Sequence, residues 1–232
     1  MPVSLSGHDQ AGNRSLRQAG RRGDGGEAFR AAKARALHQH LLGHADAAGE
    51  VLGGGAEFSM ACHARVVGKG VMVGQPEVNL GIIPGAGGTQ RLPRIIGIEK
   101  AAELMRTARP ISSDQAQELG LISEQVDDDL VGRAIDLAKG LADGSVQAPA
   151  MPTGPPEDVP ASLPDVDIKH RSKAVDAILV KAILEGAKLG LREGVALESR
   201  CFGEVCGTKD MRIGVDNFLT NGPRAKAEFV HG

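Results

Sequence analysis

The sequence predicts an α/β core followed by a helical C-terminal unit, on three observations. Across residues 51–144, short runs rich in β-branched residues alternate with helical patterns and glycine turns, which is typical of α/β layering. Six prolines between residues 145 and 165 predict an extended loop. From residue 166 onward, apolar residues recur at three- and four-residue spacing, so the rest of the 232 residues is expected to be helical.

Residues 1–50 differ in composition from the remainder of the chain. They are rich in Gly, Arg, Ala and His, and Val3 is their only β-branched residue, so buried strands are not expected there. We expect residues 1–26 to be irregular or disordered. Ala, Leu and Phe recurring between basic residues predict a helix over about residues 27–43.

The core is expected to alternate between helices and strands. In order, the predicted elements are a helix over 56–64, strands over 64–68 and 71–74, helices over 88–97, 98–108 and 112–120, a strand over 121–127 and a helix over 128–144. Gly97 is the expected break between two helices, and Ser112 is an N-cap candidate. Gly120 and Gly144 follow helical patterns, as C-terminal glycines do.

The C-terminal unit is predicted to contain three helices, over residues 168–191, 192–206 and 208–219. Thr208 is the expected N-cap of the last one, and the sequence Asn-Gly-Pro at 221–223 is its stop signal. Because each helix has one apolar stripe, the unit must pack against the α/β core, another subunit or both.

Composition narrows the function classes. The formal net charge of −2 argues against nucleic acid or another polyanion as the main partner. No apolar run approaches the length of a membrane span, and the N-terminus lacks the apolar core of a signal peptide. A soluble cytoplasmic protein with no membrane partner is therefore the expectation.

Neither the cysteines nor the histidines predict a metal site. Cys62, Cys201 and Cys206 lack a metal-type spacing, and the last two are expected to be buried or half-buried thiols in a reducing compartment. The histidines at 38, 40 and 44 do not converge on one helix face. A solvated basic face explains them better than zinc, since no cysteine or carboxylate cluster supports a metal.

A run of three glycines, Gly53 to Gly55, precedes the first predicted helix of the core. Without Cβ atoms, this backbone can turn its N–H groups outward, where they could bind an anion or an oxygen that becomes anionic during a reaction. A tight turn required by packing explains the same glycines, and the motif alone favours that reading. We expect the helix to start near Glu57.

Two glutamates, Glu57 and Glu77, lie in apolar surroundings close to the glycines. Each could be an ordinary solvated acid at a turn or helix start. Beside an N–H site they also suit the addition or removal of water next to a carbonyl, which needs an acid, a base and an oxyanion donor. If they share a water, at least one should have a pKa raised by burial and like charge.

The second glycine cluster, in PGAGGTQRLPR, is not predicted to bind a nucleotide. It lacks the Gly-Lys-Ser/Thr ending of a phosphate loop. It also lacks the G-x-G-x-x-G spacing of a dinucleotide turn.

Three motifs occur in order along the chain, LGGGAEFSMACHARV, GQPEVNLGIIPGAGGTQRLPRIIG and ARPISSDQAQELGLISEQV. Together they resemble the consecutive signatures of the enoyl-CoA hydratase/isomerase, or crotonase, superfamily. The C-terminal LESRCFGEVCGTKDMRIGVDNFL is similar to the terminal helices of that family. The resemblance runs from about residue 51 to the C-terminus.

The resemblance implies a spiral of ββα units with a helical C-terminal domain that mediates trimers, often paired into hexamers. It also implies acyl-CoA thioester chemistry without a metal or redox cofactor, coenzyme A being part of the substrate. The site residues implied are the oxyanion donor Gly54, the catalytic glutamates Glu57 and Glu77, and the substrate contacts Gly53, Gly55, Pro84 and Gly85.

The reaction implied is hydration of the 2,3 double bond of an enoyl-CoA. Isomerisation of the double bond, hydrolysis of an acyl-CoA and a non-catalytic remnant that only assembles are the alternatives. Members of the family carry more chain before the triple glycine, including a first oxyanion donor in an AGAD-like turn that this sequence lacks. We therefore expect the N-terminal half of the fold to be missing or replaced, and crotonyl-CoA turnover to be close to background.

These expectations divide the chain into four segments. They are an atypical N-terminal segment (1–50), a crotonase-like α/β core (51–144), a proline-rich loop that looks longer than usual in the family (145–165) and a helical oligomerisation domain (166–232).

Overall fold

A computed structural model describes residues 50–223 and 225–232, and the predictions for residues 1–49 lie outside this range. Within these described residues, five short strands form two sheets. They are β1 (Glu50–Leu52), β2 (Val66–Gly68), β3 (Met72–Gly74), β4 (Ile111–Ser112) and β5 (Glu124–Val126). In the first sheet β3 lies between β1, which is parallel to it, and β4, which is antiparallel. In the second sheet β2 and β5 are parallel.

Helices make up most of the described chain. They are α1 (Gly54–Met60), α2 (Gly88–Ile96), α3 (Ile98–Thr107), α4 (Ser113–Glu118), α5 (Leu130–Asp143), α6 (Lys173–Ala187), α7 (Leu191–Cys206) and α8 (Lys209–Asn221). A single turn of 3₁₀ helix spans Glu77–Leu80. The α/β class and the helical C-terminal part are thus confirmed.

Helix ends follow the local signals closely. The Ser112 hydroxyl accepts the N–H of Gln115 and forms a capping box at the start of α4, and Thr208 caps α8 in the predicted way. Gly97 separates α2 from α3 with a φ of 88°, which glycine adopts without the strain that a Cβ would cause. These local predictions are confirmed.

Several details differ from the predictions, among them the lengths of the predicted elements. Strands β1 and β4 were not predicted, because they are defined by their pairing with β3, which local patterns do not encode. Helix α1 begins at Gly54 rather than near Glu57, since only Gly53 takes a positive φ, of 57°. Glu77 begins a 3₁₀ turn that the sequence analysis did not predict. Cys206 is exposed at the end of α7, so its predicted burial is wrong.

The helical C-terminal part packs directly on the α/β core. Helix α2 is held between α6 and α7, where the Gln90 side chain donates to the carbonyl of Ala182 over 2.9 Å. Arg94 donates to the carbonyl of Leu189 over 2.8 Å, so it binds the end of the α6 segment. Apolar residues of α2, α3, α6 and α7 belong to one continuous core. This packing places the start of α2 deep in the molecule.

Helix α8 supports the 3₁₀ turn that carries Glu77. A Cβ on Gly214 of α8 would lie 2.1 Å from the carbonyl oxygen of Leu80, so the two backbones are in direct contact. A Cβ on Gly81, whose φ is 67°, would lie 2.5 Å from the carbonyl oxygen of Asp210. The turn is therefore fixed from the C-terminal side.

None of the helices within the described residues combines the length and apolar character that crossing a bilayer requires.

Candidate active site

The triple glycine joins β1 to α1. The N–H of Gly53 donates to the carbonyl of Gly74 over 3.0 Å and so continues the pairing with β3. Gly54 is the first residue of α1 and is exposed, and its N–H forms no hydrogen bond with the described residues. First-turn amides have no acceptor inside their own helix, which leaves this one available. That it faces a substrate oxygen stays a prediction.

Glu57 lies in the first turn of α1 and is 4% exposed. Its Oε1 accepts two backbone hydrogen bonds, from Ala86 over 2.7 Å and from Gly88 over 2.8 Å. No hydrogen bond from the described residues reaches Oε2. One oxygen is therefore fixed to the start of α2, and the other remains available to a water or substrate.

Glu77 is the first residue of the 3₁₀ turn and is 8% exposed. Neither carboxyl oxygen has a hydrogen-bond partner among the described side chains and backbone groups. Burial raises the pKa of Glu77 to about 8, its own backbone N–H opposes the rise, and the charges of Glu57 and Glu198 add to it. At neutral pH this carboxyl group therefore holds its proton.

Both predicted glutamates lie beside the triple glycine. A Cβ on Gly53, the N-cap of α1, would lie 3.2 Å from Oε1 of Glu77, and Glu57 lies in the first turn of α1. The rise in the pKa of Glu77 caused partly by Glu57 matches the expected coupling between the pair. The site thus contains one carboxyl group bound to amides and one that retains a proton.

The other predicted contacts lie on the segment before α2. Gly85 is exposed and packs against the ring of Phe202, since a Cβ there would be 2.7 Å from Cδ2. Pro84 is buried next to Gly88, at 2.8 Å from a Cβ built on that glycine. Gly55 is half-buried in the first turn of α1. Whether these residues contact a substrate stays a prediction.

Glu198 is a site residue that the sequence analysis missed. It lies on α7, is 0% exposed, and accepts hydrogen bonds from the backbone of Gly87 over 2.6 Å and of Thr89 over 2.9 Å. Burial raises its pKa, and the bonds from Thr89 and Gly87 oppose that rise. Its position in the sequence could have indicated that it is buried, because Glu198 lies four residues after Gly194 and three before Cys201 and so shares their buried face of α7.

Gln75 is a second buried polar residue without a predicted role. It precedes the 3₁₀ turn, is 2% exposed, and neither amide atom has a partner in the part of the chain that the structure describes. It borders an apolar cavity of about 30 Å³ behind α1, lined also by Val51, Ala56 and Met60. Such a volume can hold a water, for which the amide would be a partner.

Among residues 50–223 and 225–232, no group of three or more His, Cys, Asp or Glu side chains is arranged to hold a metal ion.

Comparison with known proteins identifies the family. The enoyl-CoA hydratase/isomerase family model matches residues 7–153. This chain belongs to that family. The match begins well before residue 51, where the recognised motifs start, so it includes residues whose structure is not described.

Two curated relatives in the enoyl-CoA hydratase/isomerase family are similar over most of this chain. The probable enoyl-CoA hydratase of Bacillus subtilis (strain 168) is 34% identical over 171 residues, which cover 74% of this chain and 57% of that protein. The short-chain-enoyl-CoA hydratase of Clostridioides difficile is 33% identical over 166 residues, covering 71% of this chain and 90% of that protein. The chain therefore spans little more than half of the Bacillus relative.

A solved structure supports the fold. Carnitinyl-CoA hydratase from Mycobacterium avium matches with a TM-score of 0.54 and 23% identity, covering 79% of this chain and 60% of that one. At this identity the likeness concerns the fold alone. The crotonase-like fold expected from the motifs is confirmed.

Proposed function

We propose that this chain binds an enoyl-CoA thioester and adds water across its 2,3 double bond. The observation that carries the proposal is the contrast between the two buried glutamates. Glu57 accepts two N–H bonds through Oε1, whereas Glu77 has no described partner and a pKa of about 8. Hydration needs one group that takes a proton and one that gives a proton, and this pair supplies both at neutral pH.

In the proposed reaction, Glu57 takes a proton from water through its available oxygen while the water oxygen forms a bond to C3. Electrons of the double bond move towards the thioester, whose oxygen accepts the N–H of Gly54. Glu77 then gives its proton to C2, which completes the 3-hydroxyacyl product. One proton has been gained by Glu57 and one lost by Glu77, so exchange with solvent restores the starting state.

The proposal includes no redox cofactor, because water addition to a thioester-conjugated double bond changes no overall oxidation state, and it assigns no role to a metal, as the family resemblance implies. Coenzyme A is a part of the substrate. A homotrimer, or a dimer of trimers, is the proposed assembly, and Phe218 and Leu219 on α8 are exposed apolar residues that a subunit contact could cover. A cytoplasmic location is proposed, since all three cysteines are free thiols.

We propose a low rate. Gly54 is the one oxyanion donor that the family motifs identify in residues 50–232, and the loss of one such donor costs on the order of 10²- to 10³-fold in other enzymes. Product formation must therefore be followed over long incubations against a blank without protein.

The test is product analysis with crotonyl-CoA. Slow formation of 3-hydroxybutyryl-CoA is expected, and Glu57→Gln and Glu77→Gln should each lower it by about 10²-fold or more, or to the blank. Migration of a 3,4 double bond without added water would instead indicate an isomerase, and release of free coenzyme A a thioester hydrolase. A trimer that yields none of these products would identify a protein that only assembles.

A further inference from the structure

Glu198 is a third buried carboxylate beside the two glutamates, and the proposed reaction does not use it. It forms no salt bridge with the described residues. A buried carboxylate without a cation is costly unless hydrogen bonds compensate it. Its oxygens accept three, from the N–H of Gly87, the N–H of Thr89 and the hydroxyl of Thr89 over 2.6 Å.

The amides at the start of α2 alternate between two carboxylates. The N–H groups of Ala86 and Gly88 donate to Glu57, and those of Gly87 and Thr89 donate to Glu198. Successive peptide groups share a Cα atom, so a rotation that moves one amide moves the next. The two carboxylates therefore bind one piece of backbone and cannot shift independently.

We propose that Glu198 is a positioning residue that fixes the first turn of α2 and thereby the carboxylate of Glu57. The inference rests on the proposed function only in treating Glu57 as catalytic. The coupling between the two carboxylates rests on the hydrogen bonds themselves.

The first turn of α2 is closely packed and has little room to adopt another conformation. A Cβ on Gly88 would lie 2.2 Å from Nε2 of Gln75 and 2.7 Å from Oε1 of Glu57, so this glycine is enclosed on the side facing the site. Gly87 has a φ of 95°, a conformation that few other residues adopt. Because this turn has little freedom to rearrange, a change in the hydrogen bonds of Glu198 should also shift the amides that bind Glu57.

If Glu198 had a purely structural role, its hydrogen bonds would only hold α7 against the start of α2. Such a tie would affect the free energy of unfolding but would leave the hydrogen bonds of Glu57 in place. The two roles therefore differ in what they predict for Ala86 and Gly88, whose amides bind Glu57 and not Glu198.

The experiment compares Glu198→Gln with Glu198→Asp in the full chain. Gln keeps one acceptor oxygen but places an NH₂ donor against one of the two amides, of Gly87 or Thr89, which each require an acceptor, whereas Asp keeps an acceptor-only carboxylate. Amide resonances of Ala86 and Gly88 report the bonds to Glu57, and kcat and KM for crotonyl-CoA report the reaction. We expect Glu198→Gln to shift both resonances and to lower kcat by about 10- to 100-fold with little change in KM, or to lower product formation to the blank. Glu198→Asp should restore part of both.

Two further variants control for folding and for charge. Thr89→Val removes the hydroxyl bond to Glu198, together with the bond that Gln90 Nε2 donates to the same hydroxyl. It keeps the backbone amide of Thr89 and the bond from Gln90 to the Ala182 carbonyl, so it should fold and give a smaller shift in the same direction. Glu204→Gln removes an exposed acid from the same helix, where it pairs with Lys181, and should leave the resonances and kcat unchanged.

Unchanged Ala86 and Gly88 resonances in folded Glu198→Gln and Thr89→Val would overturn the proposal. So would shifted resonances with an unchanged kcat. If the wild-type chain hydrates no enoyl-CoA yet the resonances shift, the positioning of the Glu57 carboxylate stands and the proposed function fails.

Discussion

Helices α1 and α2 both begin at glycines, yet their first turns bind different partners. At α2, four consecutive amides from Ala86 to Thr89 are occupied by the chain's own carboxylates. At α1, the first amide, that of Gly54, has no partner among the described residues. Because both turns are rich in glycine, glycine content alone does not indicate which of them has available amides.

The difference is decided by side chains from other parts of the fold. Glu57 and Glu198 reach α2 from separate helices and saturate its N–H groups, which gives a physical reason why PGAGGTQRLPR binds no nucleotide phosphate in our interpretation. No acidic side chain reaches the corresponding amide of α1 in the described structure. In the proposed mechanism, the glycine turn at the start of α2 therefore orients the carboxylate of Glu57, and the turn at the start of α1 keeps an N–H group available to bind the substrate.

The largest expected effect is the loss of the Gly54 amide, in Gly54→Pro. Proline is favoured at the first position of a helix and has no N–H, so the donor disappears while α1 can still form. The residue before the new proline would be Gly53, whose φ of 57° and ψ of −131° are the mirror image of the extended conformation that residues before proline adopt. Glycine adopts a conformation and its mirror image about equally readily, so Gly53 can precede a proline. Product formation from crotonyl-CoA should fall by about 10²- to 10³-fold, or to the blank.

The matched variant for that test is Gly54→Ala. It retains the N–H, and its Cβ would meet nothing within 4 Å of the described structure. Its loss of activity should be far smaller, and circular dichroism should show both variants folded. Equal losses in two folded variants would mean that this amide is not the oxyanion donor.

Local sequence signals account for most of the helices and little of the site. The ends of α2, α3, α4 and α8 follow from Gly97, Ser112 and Thr208, whose effects act within a few residues. The resemblance to the family identified Glu57 and Glu77 as candidates, but not their different environments. Those depend on Ala86 and Gly88, 29 and 31 residues from Glu57 along the chain.

The environment of Glu198 is even harder to predict from local sequence. It binds amides 111 and 109 residues away, and nothing local distinguishes it from an ordinary helix glutamate except its place on a buried stripe. Strands β1 and β4 are defined by their pairing with β3, which local patterns do not encode. Contacts between distant segments are thus the part that sequence reasoning could not supply.

The next effect concerns the stability of the protein as a function of pH, through Glu77. Its pKa is about 8 in the folded chain against 4.5 for an unperturbed glutamate. Between those values the folded state keeps a proton that the unfolded state releases. The free energy of unfolding should therefore fall as pH rises through this window, by at most about 1.4 kcal/mol per pH unit, and level off above it.

Glu77→Gln removes this titration and serves as the reference. Urea unfolding of both proteins across this window should show the variant gaining stability relative to the wild type as pH rises. The raised pKa of Glu198 acts in the same direction in both proteins and largely cancels in the difference. Curves that stay parallel would show that Glu77 is not held protonated, and would remove the contrast with the amide-bound Glu57.

A smaller effect is expected from adding a methyl group at the occupied turn, in Gly88→Ala. The new Cβ would lie 2.7 Å from Oε1 of Glu57 and 2.8 Å from Cβ of Pro84, so side chains must move. Overpacking of this kind costs roughly 1–3 kcal/mol of unfolding free energy. Thermal or urea unfolding measures it, and Gly54→Ala at the open turn should cost clearly less; similar costs would refute the difference in packing between the turns.

The smallest effect is expected at an ordinary helix start, in Ser112→Ala. The Ser112 hydroxyl accepts the Gln115 amide, and the Gln115 side chain accepts the Ser112 amide, so the first turn of α4 is satisfied by a local capping box. Removing the hydroxyl should cost about 1 kcal/mol in unfolding free energy, as N-cap changes do. The crotonyl-CoA product rate should be unchanged, because the capping-box bonds of these two side chains reach only each other's backbone. A loss of product comparable to that of Gly54→Pro would mean that activity follows helix stability in general, and the two glycine turns would then have no special role.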